Sequence, residues 1–177
     1  MPGAIALFAS ARRNGNTGAF IDRIAGELGI DVVDLGALSI APYDYGHSHR
    51  SDDFEPLFRR VLDADPILFA SPVYCYAVAS PMKAFLDRIV DFLDLPELRD
   101  EARRLRGKTA YVVCTSIYDQ APPAFLDAFK DNFAYYGMRF GGAVNANCED
   151  GYVPSRHDPA ALAFARRLKN APGGERT

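Results

Sequence analysis

Two polar segments carry side chains that could do chemistry, and each directly follows a short apolar run. The first is Ser10-Ala11-Arg12-Arg13-Asn14-Gly15-Asn16-Thr17, behind the run at residues 4–9. It empties into a helical pattern, and the first turn of a helix leaves backbone N–H groups unpartnered at the positive end of the helix dipole. The hydroxyls of Ser10 and Thr17 and the guanidinium of Arg12 add donors there, so the segment suits a phosphate or a similar anion. An ordinary polar strand-to-helix turn has the same composition, and on this segment alone both readings stand. Its spacing is neither G-x-G-x-x-G nor a P-loop, which disfavours a dinucleotide-binding fold and an NTPase.

The second segment is Ser71-Pro72-Val73-Tyr74-Cys75-Tyr76-Ala77-Val78-Ala79-Ser80. Its small residues let the backbone approach a flat ligand, and Tyr74 and Tyr76 can stack on such a ligand or lie at its edge. Aromatic residues in a loop can equally just cover the end of a sheet. The remaining candidates are weaker. His47 and His49 read as solvated loop histidines rather than metal ligands. Lys83 and Asp87 have the i, i+4 spacing of a helix-surface ion pair. Cys75 is either a reactive thiol or a small hydrophobe. No Ser/His/Asp order fits a nucleophile elbow.

The elements that must position these segments alternate along the chain. Apolar strand-length runs at residues 4–9, 31–34, 66–70, 109–114 and 139–144 are separated by helical patterns. The helical spacing is carried by Phe20, Ile21, Ile24 and Leu28, then by Phe54, Leu57, Phe58 and Val61. It returns at Phe85, Leu86, Ile89 and Val90, and at Phe125, Phe129 and Phe133. Asp158-Pro159 reads as the start of a last helix. Strands apolar on both faces, alternating with helices, predict an α/β fold: a three-layer sandwich with a five-stranded parallel sheet and helices on both faces. Ligands of such sheets sit at the carboxyl ends of the strands, which is where both polar segments fall.

Size and charge narrow the classes. The chain has 177 residues, 49% of them hydrophobic, and a net charge of −3. That fits one domain over residues 1–170 with a loose tail at 171–177, and gives no support to nucleic-acid binding. Three widely spaced cysteines without a C-x-x-C pair imply reduced thiols, and no run approaches a membrane span, so a cytoplasmic protein that contacts no membrane is expected. In the third helical pattern the apolar residues from Met82 to Leu93 spread over about 160° at 100° per residue. That excess, extended by Leu95 and Leu98, predicts a homo-oligomer, a dimer in the simplest case, unless residues 95–105 fold back over it.

The loop S-A-R-R-N-G-N-T and the run from Ser71 to Arg88, S-P-V-Y followed by S-x-x-K-x-F-x-D-R, together resemble the NADPH-dependent FMN reductase family of the flavodoxin-like superfamily. The resemblance implies FMN, with its phosphate on Ser10, Arg12, Asn16 and Thr17. It implies the isoalloxazine on Pro72, Val73, Tyr74, Cys75 and Tyr76, and a loop at Thr115 and Ser116 closing the third side. NADPH or NADH would pass hydride through FMN to a small acceptor such as a quinone, flavin, nitro or azo compound. No side chain is then required as acid or base, so no catalytic residue is expected. Two features depart from relatives. Residues 40–50 hold no cysteine, so no iron–sulfur cluster is expected, and Cys75 stands where many relatives have tryptophan. A one-electron flavodoxin-type carrier and a cofactor-free interaction module are the rival readings. Arg12-Arg13 and the small net charge argue against the acidic docking face that a carrier uses.

Overall fold

Strand residues alternate between the two faces of a sheet, and here both faces are apolar. In β1 (Ile5–Phe8), Ile5 and Leu7 enter one core while Ala6 and Phe8 enter the other. The computed structural model describes residues 3–170, so the expected tail at 171–177 lies outside the described residues. The elements that follow are α1 (Asn16–Leu28), β2 (Val32–Asp34), α2 (Phe54–Asp63), β3 (Ile67–Pro72), α3 (Ser80–Asp94), α4 (Arg99–Ala102), β4 (Thr109–Ser116), α5 (Pro123–Tyr135), β5 (Arg139–Asn147) and α6 (Pro154–Asn170). The five strands form one parallel sheet in the order β2-β1-β3-β4-β5. Helices α1 and α6 cover one face, and α2, α3, α4 and α5 cover the other. The fold is thus the flavodoxin-like α/β sandwich the sequence predicts. Its strand order reverses between β1 and β3, so the chain leaves those two strands in opposite directions and opens a crevice at their carboxyl ends.

Several strand and helix ends differ from the sequence reading. Strands β3 and β4 run on to Pro72 and Ser116, which places Pro72, Thr115 and Ser116 at strand ends rather than in loops. Residue pairing explains it, because Pro72 sits opposite Thr115 and Ser116 opposite Asn147 even where the apolar pattern has stopped. Helix α6 begins at Pro154, a turn earlier than Asp158, and carries Pro159 inside it. The short helix α4 and the 3-10 turn Arg103–Leu105 were not read from the sequence at all. This segment folds back on α3 and buries Leu98, Ala102 and Leu105 with Phe85, Ile89 and Phe92 in one cluster. The segment thus covers part of the wide apolar stripe on α3 from within the chain, while Val90 and Leu93 stay half-buried.

The long connection from β2 to α2 is fixed by a buried arginine. Arg88 on α3 is 1% exposed. Its guanidinium pairs with Asp52 at 2.6 Å and Asp91 at 2.5 Å, and donates to the carbonyls of Ala41 and His49 at 3.2 and 2.8 Å. It also lies 4.8 Å over the Phe54 ring. His47 is half-buried against Asp91, with Nδ1 2.9 Å from the carboxylate, and His49 sits 3.2 Å from Asp44. Lys83 and Asp87 form the expected i, i+4 pair. The arginine that closes the S-P-V-Y…D-R run is thus a strut for a loop. Among the described residues, no helix is long and apolar enough to cross a membrane.

Candidate functional site

The crevice at the switch point is a cleft of about 320 Å³. Its first wall is the turn from β1 into α1. Gly15 occupies the N-cap position, no side chain caps it, and no acidic residue lies in the first turn. The amides and the positive dipole end there are left for an anion. Arg13 is not available, because it pairs with Asp22 at 2.6 and 3.0 Å and stacks over Phe8. Arg12 is exposed, lines the cleft, and among the described residues its guanidinium has no partner. The turn is tight because Gly18 touches the carbonyl of Arg13: a Cβ at Gly18 would lie 1.9 Å from that oxygen.

The second wall is the end of β3 and the loop after it. Ser71 is buried, and its Oγ accepts from the Ala79 N–H at 2.9 Å and donates to the Pro72 carbonyl. One hydroxyl therefore pins both ends of the loop. Between them, Tyr74 and Ala77 exchange two backbone hydrogen bonds at 2.9 and 2.8 Å, and Cys75 and Tyr76 have φ of 48° and 63°. This is the pattern of a type I′ turn, made without glycine at either central position. Left-handed backbone in L-residues costs about 1–2 kcal/mol each. The turn sets the Cys75 and Tyr76 side chains out from the sheet, and both line the cleft.

The third wall comes from the ends of β4 and β5. Thr115 Oγ1 and Thr17 Oγ1 share a buried hydrogen bond of 2.6 Å that ties α1 to β4. Two hydroxyls sharing one bond leave a second proton, which either can offer to a ligand. Ser116 Oγ hydrogen bonds to Asn145 Oδ1, and Asn145 Nδ2 donates to the Tyr118 carbonyl at 2.7 Å, so β5 holds the turn that carries Ile117 and Tyr118. The Asn16 side chain is occupied: it donates to the Cys148 carbonyl at 3.4 Å and accepts from the Tyr152 N–H at 3.1 Å. That amide positions the segment after β5, leaving one side-chain N–H and the Asn16 backbone for an anion. The same segment is held from α6, where His157 Nδ1 accepts from the Val153 N–H and Nε2 lies 2.7 Å from the Asn147 carbonyl. Burial raises the Cys148 thiol and pushes Cys114 up to about 12, so neither is a ready thiolate.

The cleft brings together the whole predicted set: Ser10, Arg12, Asn16 and Thr17 from the first wall, residues 72–76 from the second, and Thr115 and Ser116 from the third. Sequence reasoning missed Ile117, Tyr118 and Cys148, which also line it. Ile117 and Tyr118 follow directly on Thr115-Ser116 and were within reach of the same argument. Cys148 enters only because β5 runs on to Asn147, past the end of its apolar run. Among the described residues no carboxylate lines the cleft. The first two walls meet where Ser10 Oγ and the Tyr74 hydroxyl lie 3.3 Å apart, and the Tyr76 and Tyr118 rings stack on each other.

A family description of NADPH-dependent FMN reductases matches residues 3–151. This chain belongs to that family. A Bacillus subtilis protein provisionally described as an NAD(P)H-dependent FMN-containing oxidoreductase is 26% identical over 167 residues, covering 89% of this chain and 91% of the relative. Among solved structures, the Trp repressor binding protein of Bacillus subtilis superposes with a TM-score of 0.71 at 23% identity, over 96% of this chain and 99% of that one. An FMN-dependent NADH-azoreductase from Bacillus anthracis, solved with FMN, superposes at 0.66 and 13% identity, over 94% and 98%. The chain is thus an oxidoreductase of the class that works with FMN and a reduced nicotinamide. The cleft fits that cofactor chemically, with uncapped helix amides, hydroxyls and a free arginine for a phosphate, and tyrosines and small residues for a flat ring.

Proposed function

We propose that the cleft holds FMN, with its phosphate on the turn of Ser10, Arg12, Asn16 and Thr17 and its ring system against Pro72, Val73, Tyr74, Cys75 and Tyr76, beside Thr115 and Ser116. The enzyme would pass reducing equivalents from NADPH or NADH to a small acceptor of the quinone, flavin, nitro or azo type. The observation that carries this reading is Arg12, an unpaired guanidinium beside an uncapped helix N-terminus, in a cleft that no carboxylate lines among the described residues. FMN supplies the two-electron chemistry when bound. The chain's own residues bind and orient. First-turn amides and Arg12 neutralise the phosphate, the leftover proton of the Thr17–Thr115 pair adds a donor, and the pinned loop from Ser71 to Ala79 holds the ring-side wall. No side chain is required to act as acid or base.

Arg12→Ala should weaken FMN binding by about 1.5–3 kcal/mol, roughly ten- to a hundredfold in Kd, as expected for a charged hydrogen bond. Flavin fluorescence titration of the apoprotein measures it, and an unchanged Kd would remove the phosphate from this turn. The activity itself is read by mixing the yellow holoprotein anaerobically with NADPH or NADH. Bleaching of the flavin at a rate that matches turnover with an added acceptor is expected. A flavin indifferent to both nicotinamides would leave the protein a carrier.

A further inference from the structure

Four of the exposed large hydrophobic side chains, Tyr74, Tyr76, Ile117 and Tyr118, line the one cleft. Two of them meet across it. The rings of Tyr76 and Tyr118 lie 6.2 Å apart at 23°, and their hydroxyl oxygens are 3.1 Å apart. They come from different walls, Tyr76 from the strained turn after β3 and Tyr118 from the turn that Asn145 anchors after β4. Each support serves to present a phenol.

We propose that the Tyr76–Tyr118 pair selects the electron acceptor, by donating a hydrogen bond to a carbonyl oxygen of a planar, quinone-type molecule seated against the aromatic mouth of the cleft. The inference rests on the oxidoreductase reading above. Two phenols joined by one hydrogen bond keep one O–H proton free, so the pair is a donor with a fixed address. The hydrogen bond shared with Tyr76, then the electrostatic effect of that phenol and burial, hold the Tyr118 proton more tightly than in a free phenol. The mouth offers apolar surface from Ile117 and aromatic faces from the tyrosines, and no carboxylate lines it among the described residues. A neutral, flat ring carrying an oxygen acceptor is the complement of that surface.

The acceptor's chemistry adds discrimination. A quinone becoming a hydroquinone gains two electrons and two protons, as one hydride equivalent that originates on the nicotinamide and one proton from water. Negative charge builds on the carbonyl oxygen before that proton arrives. A donor already aimed there strengthens as the charge grows. An azo nitrogen or a nitro oxygen is the weaker acceptor for a phenol, so it gains less from the pair.

The test replaces both hydroxyls and keeps both rings, because a single change leaves the other phenol free to donate. Oxidised Tyr76→Phe/Tyr118→Phe holoprotein and the unaltered protein are titrated with 1,4-naphthoquinone, a nitroarene and an azo dye, with no nicotinamide present. Binding is read from the change in flavin and ligand absorbance, and FMN content is measured first. The expected result, read on the flavin-loaded fraction, is a five- to tenfold higher Kd for the quinone and less than a twofold change for the other two ligands. An unchanged quinone Kd, or equal losses for all three ligands, overturns the inference while the oxidoreductase reading stands. Loss of FMN from the double variant alone would assign the pair to the cofactor and also overturn it. An unaltered protein that holds no FMN overturns both.

Discussion

Gly18→Ala is expected to give a protein that retains little FMN and unfolds at markedly lower urea. The added methyl would sit 1.9 Å from the Arg13 carbonyl oxygen, well inside contact distance, and the neighbour is backbone rather than a movable side-chain tip. Either α1 shifts from the sheet or the turn of residues 10–15 swings outward. Gly18 is buried, so the first option disturbs the packing of Phe20 and Ile21 behind it. The second moves Ser10 and Arg12 away from the helix amides that should share a phosphate with them. Overpacking of this kind typically costs about 1–3 kcal/mol, and backbone contact belongs at the upper end, about a hundredfold in FMN affinity if the turn absorbs it. Gly26→Ala provides the contrast within the same helix. Nothing lies within 4 Å of its Cβ position, so it should stabilise by about 0.5–1 kcal/mol and leave the flavin in place. Urea unfolding and flavin content measure both variants, and a yellow, fully stable Gly18→Ala protein would show the turn to be more pliable than its geometry indicates.

Arg88→Ala should destabilise by about 3–5 kcal/mol while leaving FMN affinity of the folded fraction nearly intact. The substitution strands Asp91, 3% exposed, and Asp52, 11% exposed, without their shared cation, and it releases two loop carbonyls. Neither carboxylate lines the cleft, which separates the two readouts. Acid has the same target. Burial pushes the Asp52 carboxyl up, but the hydrogen bond from Arg88 and those from the Ala41 and Phe54 amides outweigh it, and the net shift is downward. A carboxyl depressed in the folded state adds stability that is fully present above its unfolded value and is lost as pH falls through the folded one. Urea midpoints of the unaltered protein should therefore drop below about pH 4, the ordinary Asp range, and Arg88→Ala should flatten that part of the profile. A profile unchanged by the substitution would mean the network contributes nothing to folding.

The sheet, its order of elements and the cleft residues were legible because each depends on local pattern. Strands apolar on both faces imply two helical layers, and polar segments behind them imply loops at one edge. What was hidden depends on contact between distant segments. Arg88 reads as one more charge in a helical pattern, and only the folded chain brings Asp52 and the Ala41 and His49 carbonyls around it. The resemblance put Asn16 on the phosphate, yet the oxygen and one N–H of its amide go to a segment more than a hundred residues away in sequence. The surplus on α3 was real, but part of its cover lies in Leu98, Ala102 and Leu105, on elements too short to announce themselves by periodicity.

The turn at residues 74–77 has a consequence for remaking the enzyme. Most positions facing a cleft are poor places to vary, because change there adds strain to a frame already at its optimum. Cys75 and Tyr76 are the reverse, since asparagine or glycine at either would relieve the left-handed backbone that the present residues hold unwillingly. Variation at these two sites begins with a reserve of foldability that can be traded for side chains of new shape. A library confined to positions 75 and 76 should contain an unusually large share of well-folded members. Retaining a thiol and a phenol in that turn is the opposite trade, in which the chain gives up tightness to keep two functional groups at the mouth of its cleft.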